Sequence, residues 1–325
     1  MAKIRVAING YGNLGRGVET AVSQTDDLET VAVFTRRDPA TIRTGGAPAY
    51  SLGDIENFRG KIDVVVNCGG SATDLSEQTP AVAGAFNVVD SFDNHAHIPE
   101  HFEKVDAAAR AAGTLALVSS GWDPGFFSLQ RAFSQAFLPN GSTYTFWGPG
   151  LSQGHSDAVR RIPGVIRAVQ YTLPVEESLA RVLAGDNSEF SAAQMHRRQV
   201  FAVLDAAADP GAVREEICSM PDYFAPYETE VNFISAEEFE RNHRGMPHGG
   251  HVVRTGETSA ETKQVAHFEL MLDSNPEFTG SVLAASARAT ARLAAEGMSG
   301  AITLFDVPVA KLLPNSAEDI RRNLL

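Results

Sequence analysis

Ile4-Arg5-Val6-Ala7-Ile8-Asn9 runs directly into Gly10-Tyr11-Gly12-Asn13-Leu14-Gly15. Ile4, Val6 and Ile8 alternate with Arg5 and Ala7, the period of a β-strand, and their branched side chains suit one. Three glycines follow at the G-x-G-x-x-G spacing, and Val18, Ala21 and Val22 then recur at helical intervals. Strand, glycine turn and helix in that order predict a dinucleotide cradle. Gly10 permits the tight turn, Gly12 lets backbone approach a diphosphate, and Gly15 lets the helix pack close to the strand. The diphosphate then meets the positive end of the helix dipole. The spacing alone is a weak signal; its place between the right elements gives it force.

Working outward, residues 31–34 read as the second strand, ending in Thr35, Arg36 and Arg37. In such a cradle the residue about 20 positions past the third glycine meets the adenosine ribose. An acidic side chain there would bind both ribose hydroxyls. A hydroxyl and two guanidinium groups suit a 2′-phosphate, so NADP is expected over NAD. The bland alternative is a solvated arginine pair, one of them neutralised by Asp38. Strands are expected at 62–66, 86–89 and 114–118, with a helix over 105–112 stopped by Gly113. Alternating strands and helices predict a Rossmann-type, doubly wound parallel α/β sheet. Ligands bind beyond the carboxyl ends of such strands. The small residues of 67–71, with Cys68 as a packing residue, then Asp93, Trp122 and Asp123, lie just past those ends.

After about residue 125 the texture changes. Strands are expected at 143–147, 170–173, 199–204, 228–234 and 262–272, several alternating polar and apolar as an antiparallel sheet with one wet face does. A second α+β domain with a mixed or antiparallel sheet is the reading, and 148–154 is a glycine-rich loop. Asn275-Pro276 starts a helix that runs to Gly297, and 301–307 reads as a last strand returning to the first domain.

Composition excludes several classes of function. With 27 basic and 40 acidic side chains the formal charge is −13, which argues against nucleic acid or an anionic membrane as the main partner. No apolar run approaches the roughly 18 residues of a membrane span. The first strand leaves no room for a signal peptide, and two isolated cysteines fit a reducing cytoplasm. His243, His248 and His251, with His95, His97 and His101, invite a metal reading. No cysteine or clustered carboxylate completes a tetrahedral set at ligand spacing, so no metal is expected. Gly249 and Gly250 instead suggest a loop closing on a ligand.

Two groups of charge could carry chemistry. Asp93 and Asp123 at the sheet edge suit an ammonium group, and Arg198, with Thr172, His248 and Asn275, could clamp a carboxylate. An ammonium at one end and a carboxylate at the other suggest an amino acid dehydrogenase.

The stretches GYGNLGR (10–16), TRR (35–37), CGGSATD (68–74), DNH (93–95), GWDPG (121–125), FWGPGLSQGHSDAVRRIPGV (146–165), QYTLP (170–174), MPDYF (220–224), MPHGGHV (246–252) and LDSNP (272–276) resemble the meso-diaminopimelate dehydrogenases nearly end to end. One local departure is a variable segment over 38–57. The resemblance implies reversible, NADP-dependent oxidative deamination at the D-centre of meso-2,6-diaminopimelate. The products are L-2-amino-6-oxopimelate, ammonia and NADPH, on a route toward lysine and peptidoglycan precursors. It also implies a homodimer. Residues 1–120 and the return 275–325 would form the NADP-binding domain, and 121–274 the substrate-binding and dimerisation domain.

Carried over by position, Gly10, Tyr11, Gly12, Asn13, Leu14, Gly15, Thr35, Arg36 and Arg37 would hold the cofactor. So would Gly69, Gly70, Ser71 and Ala72; Ser91, Phe92 and Asp93; and Gly121, Trp122, Asp123, Pro124 and Gly125. Asp93, Asp123, Trp147, Gln153 and Gly154 would surround the D-end of the substrate. Thr172, Arg198, His248 and Asn275 would hold its L-end. Asp93, Asp123, Trp122 and His155 are the catalytic candidates, and the amine proton could leave to hydroxide, a bound water or His155. The residues leave two alternatives open: another NADP-dependent reductase of dihydrodipicolinate reductase-like architecture, or an NADP-sensing regulator without catalysis.

Overall fold

A computed structural model describes residues 2–221 and 223–325. The chain divides into two units, Met1–Leu129 with Pro276–Leu325, and Gln130–Asn275.

In the first unit, β1 (Ile4–Asn9), β2 (Leu28–Thr35), β3 (Ala49–Ser51), β4 (Val64–Asn67), β5 (Val88–Asp90), β6 (Leu115–Leu117) and β14 (Gly300–Ile302) form one sheet in the order β14-β6-β5-β4-β1-β2-β3. Every pairing in it is parallel. A parallel sheet needs cover on both faces, which is why its strands are runs of branched apolar residues. Val64 and Val66 point into one core with Val6, Ile8, Val18 and Leu283. Val65, between them, points into the other with Val82, Val88 and Val105. The covering helices are α1 (Asn13–Ser23), α2 (Leu75–Ala83), α3 (Ile98–Ala112) and α10 (Asn275–Ala295). At the crossing of α1 and α10, a Cβ on Gly280 would fall on the backbone of Gly17, so contact that close requires glycine. The fold is the expected Rossmann-type α/β sheet. Two element readings change. The helix expected over 105–112 begins at Ile98, with proline in its first turn. The last strand ends at Ile302 rather than 307, because Thr303 and Asp306 cap each other and turn residues 304–306 into a 3-10 helix.

The second unit holds β7 (Gly141–Trp147), β8 (Gly150–Leu151), β9 (Val165–Pro174), β10 (His196–Leu204), β11 (Thr229–Phe233), β12 (His248–Ser259) and β13 (Thr262–Leu272). They make a four-stranded sheet, β11-β10-β9-β8, and a three-stranded one, β13-β12-β7. The first is mixed, since β10 and β11 run parallel; the second is antiparallel. Helix α4 (Phe126–Phe137) leads into the unit, and α5 (Gln153–Arg160), α6 (Glu176–Leu183), α7 (Ala192–Met195), α8 (Pro210–Ser219) and α9 (Ala236–Asn242) complete it. Gly249 and Gly250, expected in a loop, lie instead in β12, the central strand of its sheet. A side chain on Gly249 would strike the carbonyl of Leu270, and one on Gly250 that of Phe146. They are glycine because neighbouring strands press close there. Among the described residues no helix is long and apolar enough to cross a membrane.

Asp27, just before β2, anchors α10. It accepts from Arg288 at 2.6 and 2.9 Å and from Arg292 at 3.3 Å. Burial alone would raise the Asp27 carboxyl, but Arg288 and Arg292 outweigh it and hold it below the usual carboxylate range. Asp27→Ala leaves the buried Arg288 guanidinium short of its counter-ion and should cost about 1–3 kcal/mol of stability in urea melts at neutral pH. A depressed carboxyl contributes above its unfolded value of about 3.9 and loses that contribution as pH falls. The gap between native and variant should therefore narrow at acid pH; a gap independent of pH would contradict this origin.

Candidate active site

In the first unit the glycine turn behaves as its spacing predicts. Gly10 has φ +96° and donates its N–H to Phe34 at 2.9 Å, while a Cβ on Gly15 would strike the Gly10 carbonyl. The turn borders a cavity of about 490 Å³ whose wall includes Gly12, Asn13, Arg16, Arg36, Arg37 and Gly69. Thr35 accepts the Arg37 backbone N–H at 3.1 Å, and the Arg37 guanidinium donates to the Tyr11 carbonyl at 2.5 Å. Arg16 donates to Asn13 at 2.6 Å, and Leu14 packs on the core. Arg36 pairs with Asp74 at 2.8 Å. Burial works against the Asp74 carboxylate, but the Gly70 N–H and Arg36 outweigh it and keep it below the usual range. Three guanidinium groups round a glycine turn at a helix N-terminus are a donor set for phosphate.

The next loops are tied together. Asp93 donates its backbone N–H to the Ser71 hydroxyl at 3.0 Å, joining the loop after β4, which also carries Ala72, to the loop after β5. Phe92, with the half-buried Ser91 before it, stacks on His101 at 4.1 Å. His101 in turn meets the buried Asp90 carboxylate at 2.7 Å. After β6, Gly121 donates to the Pro124 carbonyl at 2.8 Å, shaping the turn through Gly125. Trp122 is buried there, edge-on to Phe127 at 5.2 Å. Asp93 is exposed and Asp123 half-buried; they leave the carboxyl ends of neighbouring strands, since β5 pairs with β6.

The second unit builds its site along one row of its mixed sheet. Gly150 of β8 faces Thr172 of β9, and Thr172 faces Arg198 of β10. Arg198 donates to the Thr172 hydroxyl and lies over the Tyr227 ring at 4.0 Å. Its Nε has no partner, and among the described residues no carboxylate pairs with it, although the residue is only 9% exposed. The His248 imidazole fills the space that a side chain on Gly150 would take. Gln153 reaches the Met246 sulfur at 3.9 Å, and Asn275 donates its backbone N–H to the Met246 carbonyl at 2.9 Å. Gly154, in the first turn of α5, has open space where a Cβ would stand. Trp147 stacks on His196 at 5.3 Å and donates its backbone N–H to that imidazole at 2.9 Å. His155 contacts Ser152 at 2.8 Å and packs edge-on against Phe224 and Tyr223. Asp222, within the MPDYF motif, lies outside the described residues.

The family model described as "Diaminopimelic acid dehydrogenase C-terminal domain" matches residues 121–274. The meso-diaminopimelate D-dehydrogenase of Lysinibacillus sphaericus is 56% identical over 326 residues, spanning 100% of both chains. The chain belongs to the meso-diaminopimelate D-dehydrogenase family. Solved relatives agree: the diaminopimelate (DAP) dehydrogenase of Corynebacterium glutamicum in complex with DAP has a TM-score of 0.92 at 46% identity, covering 100% of each chain. An engineered D-amino acid dehydrogenase bound to NADP+ has a TM-score of 0.87 at 44% identity, again over 100% of each chain.

Sequence reading missed Asp74 and the buried chain Asn9–Asn67–Thr79–Asp90, whose links run 2.7–3.2 Å. Asp74 sits inside a quoted motif, but its tie to Arg36 is a long-range contact that spacing does not show. Of the histidines weighed as a metal set, His101 meets Asp90, and His243 meets the Tyr171 hydroxyl at 2.9 Å. Burial first, and the Arg198 charge second, push both His155 and His196 down to about 4. NMR titration of their imidazole protons should show no protonation step between pH 5 and 8. In Arg198→Met the step should move up; an ordinary midpoint near 6.5 in the native protein would contradict this environment.

Proposed function

We propose that the protein catalyses reversible, NADP-dependent oxidative deamination at the D-centre of meso-2,6-diaminopimelate, giving L-2-amino-6-oxopimelate and ammonia. The observation that carries this reading is Arg198: a buried guanidinium with an orphaned Nε and no carboxylate partner among the described residues. A buried charge left unpaired is costly, and the far carboxylate of a diaminopimelate supplies the missing partner bidentately. Thr172, His248 and Asn275 complete that L-end clamp. Asp93 and Asp123, at neighbouring strand ends of the first unit, hold the ammonium of the D-end. Trp122, Trp147, Gln153 and Gly154 shape the wall around it.

The residues fit NADP. Gly10, Gly12 and Gly15 open the cradle, Tyr11, Asn13 and Leu14 lead into the helix, and Thr35, Arg36 and Arg37 meet the 2′-phosphate. Gly69 to Ala72, Ser91, Phe92 and Gly121 to Gly125 line the rest. When bound, the cofactor accepts the hydride of the D-carbon. The protein's part is to hold that carbon and to orient its nitrogen. The amine must first lose a proton so that its lone pair can form the imine, which water then hydrolyses. His155, down at about 4, is a poor acceptor for that proton, so we assign the proton to water or hydroxide and His155 to support of the clamp.

The protein acts as a homodimer in the cytoplasm, on the route toward lysine and peptidoglycan precursors. Its two free cysteines suit a reducing compartment, and Phe137, 79% exposed, offers apolar surface for a partner copy. The two alternatives, a reductase of dihydrodipicolinate reductase-like architecture and a regulator, are not retained. The full-length relatives at 47–56% identity carry the dehydrogenase name.

Arg36→Ala should weaken NADP by one to two powers of ten, since a hydrogen bond to a charged group contributes about 1.5–3 kcal/mol. NAD binding should hardly change. Equal loss for both cofactors, measured by fluorescence titration, would make Arg36 structural.

The decisive assay follows NADPH formation with meso-, LL- and DD-diaminopimelate and with D-lysine, which has the reacting D-centre but no far carboxylate. D-lysine should trail the meso compound by roughly four powers of ten in kcat/KM. Arg198→Met should cut the meso activity severely while narrowing that gap. Near-native efficiency on diaminopimelate in this variant would place the clamp elsewhere.

A further inference from the structure

The three-stranded sheet of the second unit brings three side chains together that the proposed reaction does not use. His251 of β12 stands opposite Glu269 of β13, and Val253 stands opposite His267. Residues two apart on a strand share a face, so His251, His267 and Glu269 lie on the same face, with the two histidines diagonal to each other. His251 Nδ1 lies 3.0 Å from His267 Nε2. Their rings stack with centroids 5.2 Å apart and planes 24° from parallel. A Glu269 carboxylate oxygen lies within 4.8 Å of a ring nitrogen of each histidine.

Two neutral imidazoles this close have only one proton to share between the facing nitrogens. A cation between them satisfies both lone pairs at once. With metal–nitrogen bonds of about 2.0–2.1 Å in a tetrahedral site, the nitrogens stand about 3.3 Å apart, so small side-chain rotations reach that geometry. We propose that His251, His267 and Glu269 bind a borderline divalent cation of the Zn²⁺ type, leaving at least one position for water. Two imidazoles and one carboxylate suit Zn²⁺ or Co²⁺ better than Mg²⁺ or Ca²⁺, which favour all-oxygen sites. The ligand set escaped sequence reading because His267 and Glu269 lie in a strand read only for its alternation. The bound ion cross-links β12 to β13 three residues along the strand from His248.

The test titrates the full-length protein with Zn²⁺ by calorimetry and with Co²⁺ by visible absorption. One saturable Zn²⁺ per chain is expected, together with a Co²⁺ ligand-field band. His267→Ala and Glu269→Gln, both at exposed positions, should each weaken binding at least tenfold. His97→Ala, at an exposed histidine of the first unit beside Glu100, should not. Zn²⁺ should also raise the Tm of the native protein but not of His267→Ala. Absence of saturable binding, or native affinity in both sheet variants, overturns the assignment.

Discussion

The second unit depends on where the charge of Arg198 goes. A guanidinium cannot neutralise itself by losing a proton at any ordinary pH, so burial must be answered by partners. Here the answer is partial: the Thr172 hydroxyl, the face of Tyr227, and nothing at Nε. The surroundings adapt to a fixed positive charge. His155 and His196, buried and under its influence, are pushed toward their neutral forms, so no second cation stands beside the guanidinium. Thr172 is held in place by its strand partners on either side, Gly150 and Arg198. The Thr172–Arg198 pair is thus in place without a ligand, an arrangement that would limit the ordering cost of binding an anion there.

The first unit handles charge differently. Its arginines are engaged by the protein itself: Arg36 by Asp74, Arg37 by the Tyr11 carbonyl, Arg16 by Asn13. These partners hold the guanidiniums around the cradle without burying them fully. A 2′-phosphate would share Arg36 with Asp74, so part of its attraction offsets an interaction already made. Tyr11 is also pinned through its phenol, which donates to Glu19; Glu19 accepts from Gly45 at 2.9 Å as well. Burial first, and Glu19 second, push that phenol up to about 12. The cradle is stiffened from its outer side, away from the cavity it borders.

What could be read from the sequence follows the range of the interactions. The G-x-G-x-x-G turn is local, so its strand, its glycine turn and its helix were all legible within residues 4–22. The parallel sheet was legible because strands buried on both faces, such as Val64 to Val66, announce themselves as apolar runs. Strand β12 was not, because its Gly249 and Gly250 look like a loop unless the carbonyls of Leu270 and Phe146 are known to press against them. The end of β14 was set by a capping pair, Thr303 and Asp306, that outweighed an apolar pattern. The clamp residues of the second unit were singled out by residue type, and Trp147, Gln153 and Gly154 by likeness, none of them by a local spacing. Thr172 and Arg198 stand 26 positions apart and meet only through sheet register.

Arg254 shows why burial alone would not have singled out Arg198. Both are arginines on strands of the second unit, 4% and 9% exposed. Arg254 donates to the carbonyls of Leu138 and Pro139 and to the Thr143 hydroxyl, at 2.6–2.9 Å. Each of its nitrogens is answered, and its effect is to fasten the chain entering β7 to β12. Arg198 has the same chemistry and nearly the same burial, yet its nitrogens are answered only in part. A satisfied buried guanidinium is an architectural bolt; an unsatisfied one is a request for an anion. Two residues of one type in one domain thus separate on hydrogen-bond satisfaction, a property of the folded register that neither residue carries in its own stretch of sequence.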